Sequence, residues 1–518
     1  MVNFKMIEDR PTPKSVYNWR VYIAASMVSF AAVTIGYSSF IETTISLPSF
    51  KEEFGLENQS ADEFATISAN IISVFQAGSF FGCFAGYPFG YFLGRKWGLM
   101  LAGMIFSIAA IMQCLASRVS GLGIIYAGRI VLGFCVGIAS NLAPTYISEV
   151  SPPAIRGRLI GLHDLGWQIG AVMGFFINYG INLHIPKSNK QWLIAFAIQL
   201  IPGGLLCISA LFIKESPRWL ASRGRNEHAL RNRAYLRNLP EDAQYVQDEY
   251  EDILMALDAD RKRAGVGFSS PIRALFSSGT LMKRLTITVL LFICRNGTGI
   301  HAINHYSPTT FEDMGVMDTS TSLLTTGVFG IIKLLGVLLW LLFLVDRLGR
   351  RNLLLLGSIG GAIAMFYISA YIAISDPVEN GSSTLSPVSI SAMTFFYIWT
   401  CFYGVTWNGT PWVVSVEIFP QHVRPISLAF VSASNWLIMF IITRFTPHMF
   451  LSMSYGVYLF FASFMVVSLF FVYIFLPETR QVPLERTNEL FAPGVKPWQA
   501  HSIVFSKTRE EKCASQHH

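Results

Sequence analysis

The feature that most constrains this chain is a predominantly apolar run of about 20 residues, repeated twelve times with charges confined to the segments between. The runs lie near 21–41, 67–92, 98–116, 122–146, 159–182 and 192–213, then near 285–307, 324–345, 352–374, 390–415, 427–448 and 454–476. Each is long enough to cross the roughly 30 Å hydrocarbon core of a bilayer as a helix, where every backbone polar group must be satisfied within the protein. Composition agrees, since 52% of the 518 residues are hydrophobic and 14% are charged, against about 25% charged in soluble domains. The expected fold is an all-α integral membrane protein of twelve transmembrane helices, six plus six, and the bilayer itself is an expected partner. The formal net charge of +7 sits in short segments between runs rather than on one face, so nucleic acid is not an expected partner. The seven cysteines form no CxxC pair, and all but Cys513 lie in apolar stretches. They read as small hydrophobes, with neither a disulfide framework nor a metal site expected.

Charge placement sets the expected orientation, because basic segments resist translocation. Lys5, Arg10, Lys14 and Arg20 precede the first run; Arg95 and Lys96 follow the second, Arg156 and Arg158 the fourth, and Arg347, Arg350 and Arg351 the eighth. The opposite segments are acidic or nearly neutral. Both termini and the middle loop are therefore expected in the cytoplasm. The domain reading is a cytoplasmic N-terminus 1–20, a bundle 21–213, a cytoplasmic loop 214–284 with short surface helices, a second bundle 285–476 and a cytoplasmic tail 477–518. The first run is too long for a signal-peptide core, so no cleaved leader is expected. Asn58 and Asn380, in N-Q-S and N-G-S on the outer side, are candidate glycosylation acceptors.

The two halves repeat each other. Gly94-Arg95-Lys96 is echoed by Gly349-Arg350-Arg351, Glu149 with Arg156 by Glu417 with Arg424, and Glu215-Ser216-Pro217-Arg218 by Pro477-Glu478-Thr479-Arg480. Such ordered echoes are the signature of a duplicated bundle with a solute site where the halves meet. Charges at the membrane boundary are costly unless paired, so Glu149 and Glu417 are expected to pair with Arg156 and Arg424, or with Arg129 and the Arg350 cluster. They are then candidate latches of an inner gate, the plainer alternative being anchorage in the headgroup region.

These motifs resemble the sugar porter family of the major facilitator superfamily. The matching residues are Pro144-Thr145-Tyr146-Ile147-Ser148-Glu149-Val150-Ser151-Pro152 leading to Arg156-Gly157-Arg158, Glu215 to Leu220, Asp346-Arg347-Leu348-Gly349-Arg350-Arg351 and Pro477 to Arg480. Within that family the chain is most similar to fungal quinate permeases, through Glu8 to Pro13, Tyr17 to Arg20, Gly166-Trp167-Gln168-Ile169-Gly170 and Trp407 to Val413. The resemblance implies two pseudo-symmetric six-helix bundles and alternating access, in a multi-pass protein of the plasma membrane that acts as a monomer. It implies no enzyme activity and no cofactor. As substrate it implies a small polyhydroxylated solute, whether quinate, a sugar acid or a sugar, with protons as a candidate co-substrate. It places solute contacts at Gln168, Asn296, Asn304, Trp412 and Asn435, the alternative for each amide being an interhelical hydrogen bond. It also places Arg95, Glu215, Arg218, Asp346, Arg350 and Glu478 with the cytoplasmic gate.

Departures from the pattern are informative. Where sugar porters carry paired glutamines in the seventh span, this chain reads Arg295-Asn296-Gly297-Thr298-Gly299-Ile300-His301-Ala302-Ile303-Asn304-His305. An arginine within a span costs at least about 2.5 kcal/mol unless it meets water or a counter-charge, and its planar fork fits a carboxylate. Arg295 and His301 therefore join the candidate solute residues, Arg295 as partner of a substrate carboxylate or, alternatively, of Glu42, Asp164 or a backbone carbonyl. The aspartate that proton-driven members place after Gly-Tyr in the first span is absent from Gly36-Tyr37-Ser38-Ser39. Glu42, His301 and His305 are the candidate proton carriers, imidazole because it titrates near neutrality. Tyr91-Phe92 stand where an acid and an arginine are usual. A hexose or polyol porter is the rival reading, and a non-transporting nutrient sensor is disfavoured by the short tail.

Overall fold

The computed structural model describes residues 12–40, 44–45, 47–117, 121–265, 267–307, 310–311, 314, 319–375, 387–420, 422–480, 489–491 and 495–500. Among these, eleven helices are long and apolar enough to cross a membrane. We number the spans α1 (Trp19–Phe40), α2 (Ala61–Phe92), α3 (Arg95–Cys114), α4 (Gly123–Val150), α5 (Arg156–His184), α6 (Lys190–Phe212), α7 (Gly279–Asn296), α8 (Thr319–Leu339), α9 (Arg350–Ser375), α10 (Pro387–Ile418), α11 (Arg424–Met453) and α12 (Gly456–Phe475). The span α7 is the twelfth; it carries Lys283, Arg284 and Arg295, and passes the same test only together with the short helix Ser270–Ser277, from which it bends by 90°.

Helices that bury polar groups inward and leave large apolar side chains outward are built for lipid rather than water. On α3 and α6 the exposed residues include Met104, Ile108, Ile111, Ile201 and Ile208, and on α12 Leu459, Phe460, Val467 and Phe470.

The chain divides into two compact units, residues 1–59 with 70–274 and residues 60–69 with 275–518. The division at Ala274 falls inside the polar segment 214–284. In the first unit small residues let backbones touch. A Cβ on Gly78 or Gly82 of α2 would strike the Ile130 or Phe134 carbonyl of α4, and one on Gly133 or Gly137 of α4 would strike Phe75 or Ser79 of α2. This reciprocal small-xxx-small contact replaces the hydrophobic drive that is missing between helices in lipid.

The polar segment after α6 is ordered as surface helices Pro217–Ser222, Asn226–Arg237 and Gln244–Ala264. They clamp the end of α4. Arg233 and Arg237 both hold Glu249, at 2.9 and 2.8 Å, and donate on to the Glu149 and Val150 carbonyls at 3.3 and 2.9 Å. The last carbonyls of a helix lack intrahelical partners and carry its negative dipole end, so two guanidiniums satisfy both needs.

One local arrangement occurs in both units at the basic end of the spans. In the first, Glu215 accepts from the backbone N–H groups of Arg95, Lys96 and Ser216 at 3.0, 3.1 and 2.8 Å. In the second, Glu478 accepts from Arg350, Arg351 and Arg480 at 3.0, 3.0 and 2.9 Å. A carboxylate from a later segment thus caps the N-terminus of α3 and of α9, where free N–H groups and the dipole favour negative charge. Each approach requires a glycine. Gly94 has φ +90 and ψ 178, Gly349 φ +84 and ψ 163, a region essentially closed to residues with a Cβ, and such an atom would lie 2.5 Å from Glu215 or Glu478 Oε2.

Gly349→Ala is therefore expected to cost about 1–3 kcal/mol from backbone strain alone, lowering the melting temperature by about 2–4 °C per kcal/mol for a unit of this size. Gly204→Ala is the control, because a Cβ there meets nothing within 4 Å. Equal melting of the two variants would refute the account.

Candidate functional site

The echoed charges form two ion pairs of the same chemistry. Arg95 Nη2 pairs with Glu149 Oε1 at 2.7 Å, and Arg350 Nη2 with Glu417 Oε1 at 2.8 Å. A hydroxyl completes each carboxylate: Ser216 Oγ donates to Glu149 and Thr479 Oγ1 to Glu417. The second guanidinium nitrogen holds a carbonyl just before the turn, Arg95 that of Gly90 near the end of α2 at 2.8 Å and Arg350 that of Val345, first residue of the short helix Val345–Leu348, at 3.0 Å. Burial holds the Glu215 carboxyl above the usual carboxylate range, against the pull of the amides and of Arg95. The two hydroxyls were not anticipated from sequence. Their signal is their fixed place one residue after Glu215 and Glu478.

Several sequence expectations need correction here. Glu149 takes Arg95 as its partner, because the α2–α3 turn brings that residue to the end of α4, whereas Arg156 opens α5. Arg129 lies at the other end of α4, 20 residues or about 30 Å from Glu149. There it donates to the Ser38 and Ile71 carbonyls at 3.0 and 3.3 Å and lies over Phe75. It is thus not part of the basic-end cluster. Arg218 pairs with Asp260 of the surface helix Gln244–Ala264 at 3.0 Å. Glu417, by contrast, takes its partner from the Arg350 cluster, one of the two alternatives expected for it, while Arg424 holds the Phe419 carbonyl at 3.0 Å through Nη2. Asp346 lies in the short helix Val345–Leu348, its side chain outside the described residues, as are Glu42 and Asn380 entirely. At the unusual Tyr91, the backbone carbonyl accepts from Trp219 Nε1 at 3.0 Å and the ring lies 4.3 Å from the Arg223 guanidinium.

The second unit holds the polar cluster of α7. That helix ends at Asn296, turns through Gly297 to Gly299, whose φ is +84, and resumes as the short helix Ile300–His305. The break puts Arg295 in the last turn of a helix, where a cation suits the dipole. Arg295, Asn296, His301, Asn304, His305 and Asn435 are each 5% exposed or less. Arg295 Nη1 donates to Asn435 Oδ1 at 3.1 Å and to His301 Nε2 at 3.3 Å, and its Nε to the Asn408 carbonyl at 3.4 Å. Since a guanidinium can only donate, the His301 nitrogen that faces it is the acceptor. Asn296 Nδ2 donates to the same Asn435 oxygen at 3.0 Å. No carboxylate approaches Arg295 among the described residues. The Asn296 and Asn304 carbonyl oxygens and the Asn435 amide nitrogen are buried without a partner among them.

An aromatic wall adjoins this cluster. Phe292 lies 5.9 Å from the Arg295 guanidinium and meets Trp412 edge to face at 4.7 Å. Trp412 follows the interruption of α10 at Thr406–Gly409, where Trp340 Nε1 donates to Thr410 Oγ1 at 3.0 Å and its ring fills the space a Gly409 Cβ would take. His305 stacks on His301 with centroids 6.4 Å apart, and the buried Lys333 of α8 lies 5.8 Å from the Tyr403 ring. Trp436, by contrast, is 1% exposed and packs. Gln168 is buried on α5 of the first unit.

Such a cluster offers donors, acceptors and a fixed positive fork to a hydroxylated anion. A family model described as "Sugar (and other) transporter" matches residues 24–491. The "Probable quinate permease" of Neosartorya fischeri is 49% identical over 514 residues, covering 99% of this chain and 94% of that protein. The "Quinate permease" of Emericella nidulans is 50% identical over 512 residues, 98% of this chain and 95% of that protein. Among solved structures, the major facilitator superfamily proton:xylose symporter XylE bound to 6-bromo-6-deoxy-D-glucose matches with a TM-score of 0.78 at 24% identity, covering 92% of this chain and 99% of that one. The inward-open XylE from E. coli gives 0.71 at 23% identity, with 91% and 100% covered. These likenesses show the twelve-helix fold.

Proposed function

From a chain that belongs to the sugar and other transporter family, and is therefore a transporter rather than an enzyme, we propose an alternating-access permease for quinate or a related polyhydroxy acid. The observation that carries this reading is Arg295, a buried guanidinium whose partners among the described residues are all neutral. A buried cation without a counter-ion is costly. A substrate carboxylate supplies that counter-ion only while bound, so the interaction discriminates in favour of the anion. The amides of Asn296, Asn304 and Asn435 supply hydroxyl partners, and Phe292 with Trp412 the face against the ring. The quinate permeases at 49–50% identity support the same class of solute.

In this reading the basic end is cytoplasmic, the membrane is the plasma membrane, and the Arg95–Glu149 and Arg350–Glu417 pairs close the inner gate. Importing an anion against an inside-negative potential costs about 2.3 kcal/mol per 100 mV, so accumulation needs a co-transported proton. His301 spends Nε2 on Arg295, which leaves His305 and Glu42 as carriers. A second reading is facilitated diffusion of a neutral solute. It is favoured by Ser38, which stands where proton-driven relatives keep an acid and whose carbonyl holds Arg129.

Uptake of labelled quinate, galacturonate and glucose at two external pH values, in a host lacking its own carriers, separates the two. Quinate uptake is expected to dominate and to rise at the lower pH. Preference for glucose with no pH response would reject the acid permease in favour of the second reading.

A further inference from the structure

At the basic end of the first unit, the start of α3, the end of α6 and the surface helices after it enclose a pocket of about 250 Å³. Lys96, Trp97, Lys214, Glu215, Arg225 and His228 are among its lining residues. Three of these are fixed cations drawn from three separate elements. Glu215, the acid, has its oxygens engaged by the backbone N–H groups of Arg95, Lys96 and Ser216. Lys96 reaches the Leu211 carbonyl at 2.9 Å, leaving further donor positions on its ammonium. The Arg225 guanidinium meets no partner among the described residues and is exposed at the pocket. Arg225 has a rigid fork of donors suited to phosphate oxygens, and the lysines add point charge.

The rim is apolar. Trp97, itself a lining residue, is 51% exposed, and Leu211 and Phe212 at the end of α6 are 56% and 71% exposed. An exposed tryptophan at the end of a span sits where headgroups meet acyl chains. We propose that this pocket is a phosphate site filled by the headgroup of an anionic phospholipid from the leaflet on the basic side. The phosphate meets Lys96, Lys214 and Arg225, and the acyl chains run over Leu211 and Phe212. The site is separate from the α7 cluster, and its occupancy is measured without transport.

The test uses the full chain purified in mild detergent, with lipid retention read by native mass spectrometry. Phosphatidylserine is expected to be retained about 100-fold more tightly than phosphatidylcholine, roughly fivefold for each of the three cations. Lys214 and Arg225 lie outside the spans with exposed side chains, so Lys214→Gln with Arg225→Gln leaves the bundle intact, as an unchanged melting temperature checks. That pair should weaken phosphatidylserine about 25-fold, the product of roughly fivefold per cation removed, and leave phosphatidylcholine unchanged. Lys283→Gln, an exposed cation of the second unit, should change neither. Equal retention of the two lipids, or no loss in the double variant, overturns the proposal. Displacement of phosphatidylserine by an equal concentration of soluble glycerophosphoserine overturns the lipid assignment in favour of a free phosphate ligand.

Discussion

Arg295→Gln is expected to lower quinate uptake about 100-fold at subsaturating concentration, mainly through KM. Glutamine keeps a donor and loses the charge, and a charge-assisted fork to a carboxylate is worth about 3 kcal/mol over a neutral contact. Arg295→Lys keeps the charge but loses the planar pair of donors, so an intermediate loss of about tenfold is expected. A purely structural role predicts something else. If Arg295 serves only to tie Asn435 and the Asn408 carbonyl, anionic and neutral solutes fall together, in step with folded protein. Quinate uptake unchanged in the glutamine variant, or lost in proportion with glucose uptake, would sink the assignment.

The second large effect belongs to Glu249. Two arginines share this one carboxylate, and the Arg237 side chain is fully buried. Glu249→Gln leaves two guanidiniums facing each other without their counter-ion, a break that typically costs about 3–5 kcal/mol. The surface helices are expected to become open to protease under conditions where the parent resists, with a lower melting temperature. The pH dependence has a definite sign. Burial pushes the Glu249 carboxyl up, but Arg233 and Arg237 outweigh it and hold the group below its ordinary range. A carboxyl lowered by folding stabilises fully above its unfolded value, about 4.3, and the contribution is lost as pH falls through the lower folded value. Parent and variant should therefore differ by a constant amount from neutrality to about pH 4.3 and converge only below it. Convergence already at pH 6, or no difference at pH 7, would contradict the buried triad.

The spans were legible because a bilayer filters sequence harshly. The apolar run near 352–374 is the helix Arg350–Ser375, and that near 427–448 is Arg424–Met453. The ends were read short because polar boundary residues stay helical once their backbone is satisfied, Arg350 by the distant Glu478 and Arg424 by the nearby Pro420 carbonyl. Partner choice was less legible for the same reason. Arg156, seven residues after Glu149, is a nearer neighbour in sequence than Arg95, yet the α2–α3 turn delivers Arg95 to the carboxylate. Arg129 misled because charge alone does not say which end of a helix a residue occupies; counting residues from Glu149 does. The α7 cluster was legible because an arginine and several amides among leucines and isoleucines have few neutral explanations. Its break at Gly297–Gly299 was not read from the sequence, where the apolar run continues to 307. Nor was the shared Asn435 oxygen, since nothing in sequence ties α11 to α7 at that residue.

The clamp on α4 has a consequence for how the protein is made. Arg233 and Arg237, 84 and 87 positions after the carbonyls they hold, leave the ribosome after all six spans of the first half. At a synthesis rate of about 5–20 residues per second, the end of α4 waits several seconds for its caps. The first half thus finishes maturing only when the segment beyond it has been translated, and a nascent chain halted before Glu249 would present an incomplete bundle to quality control.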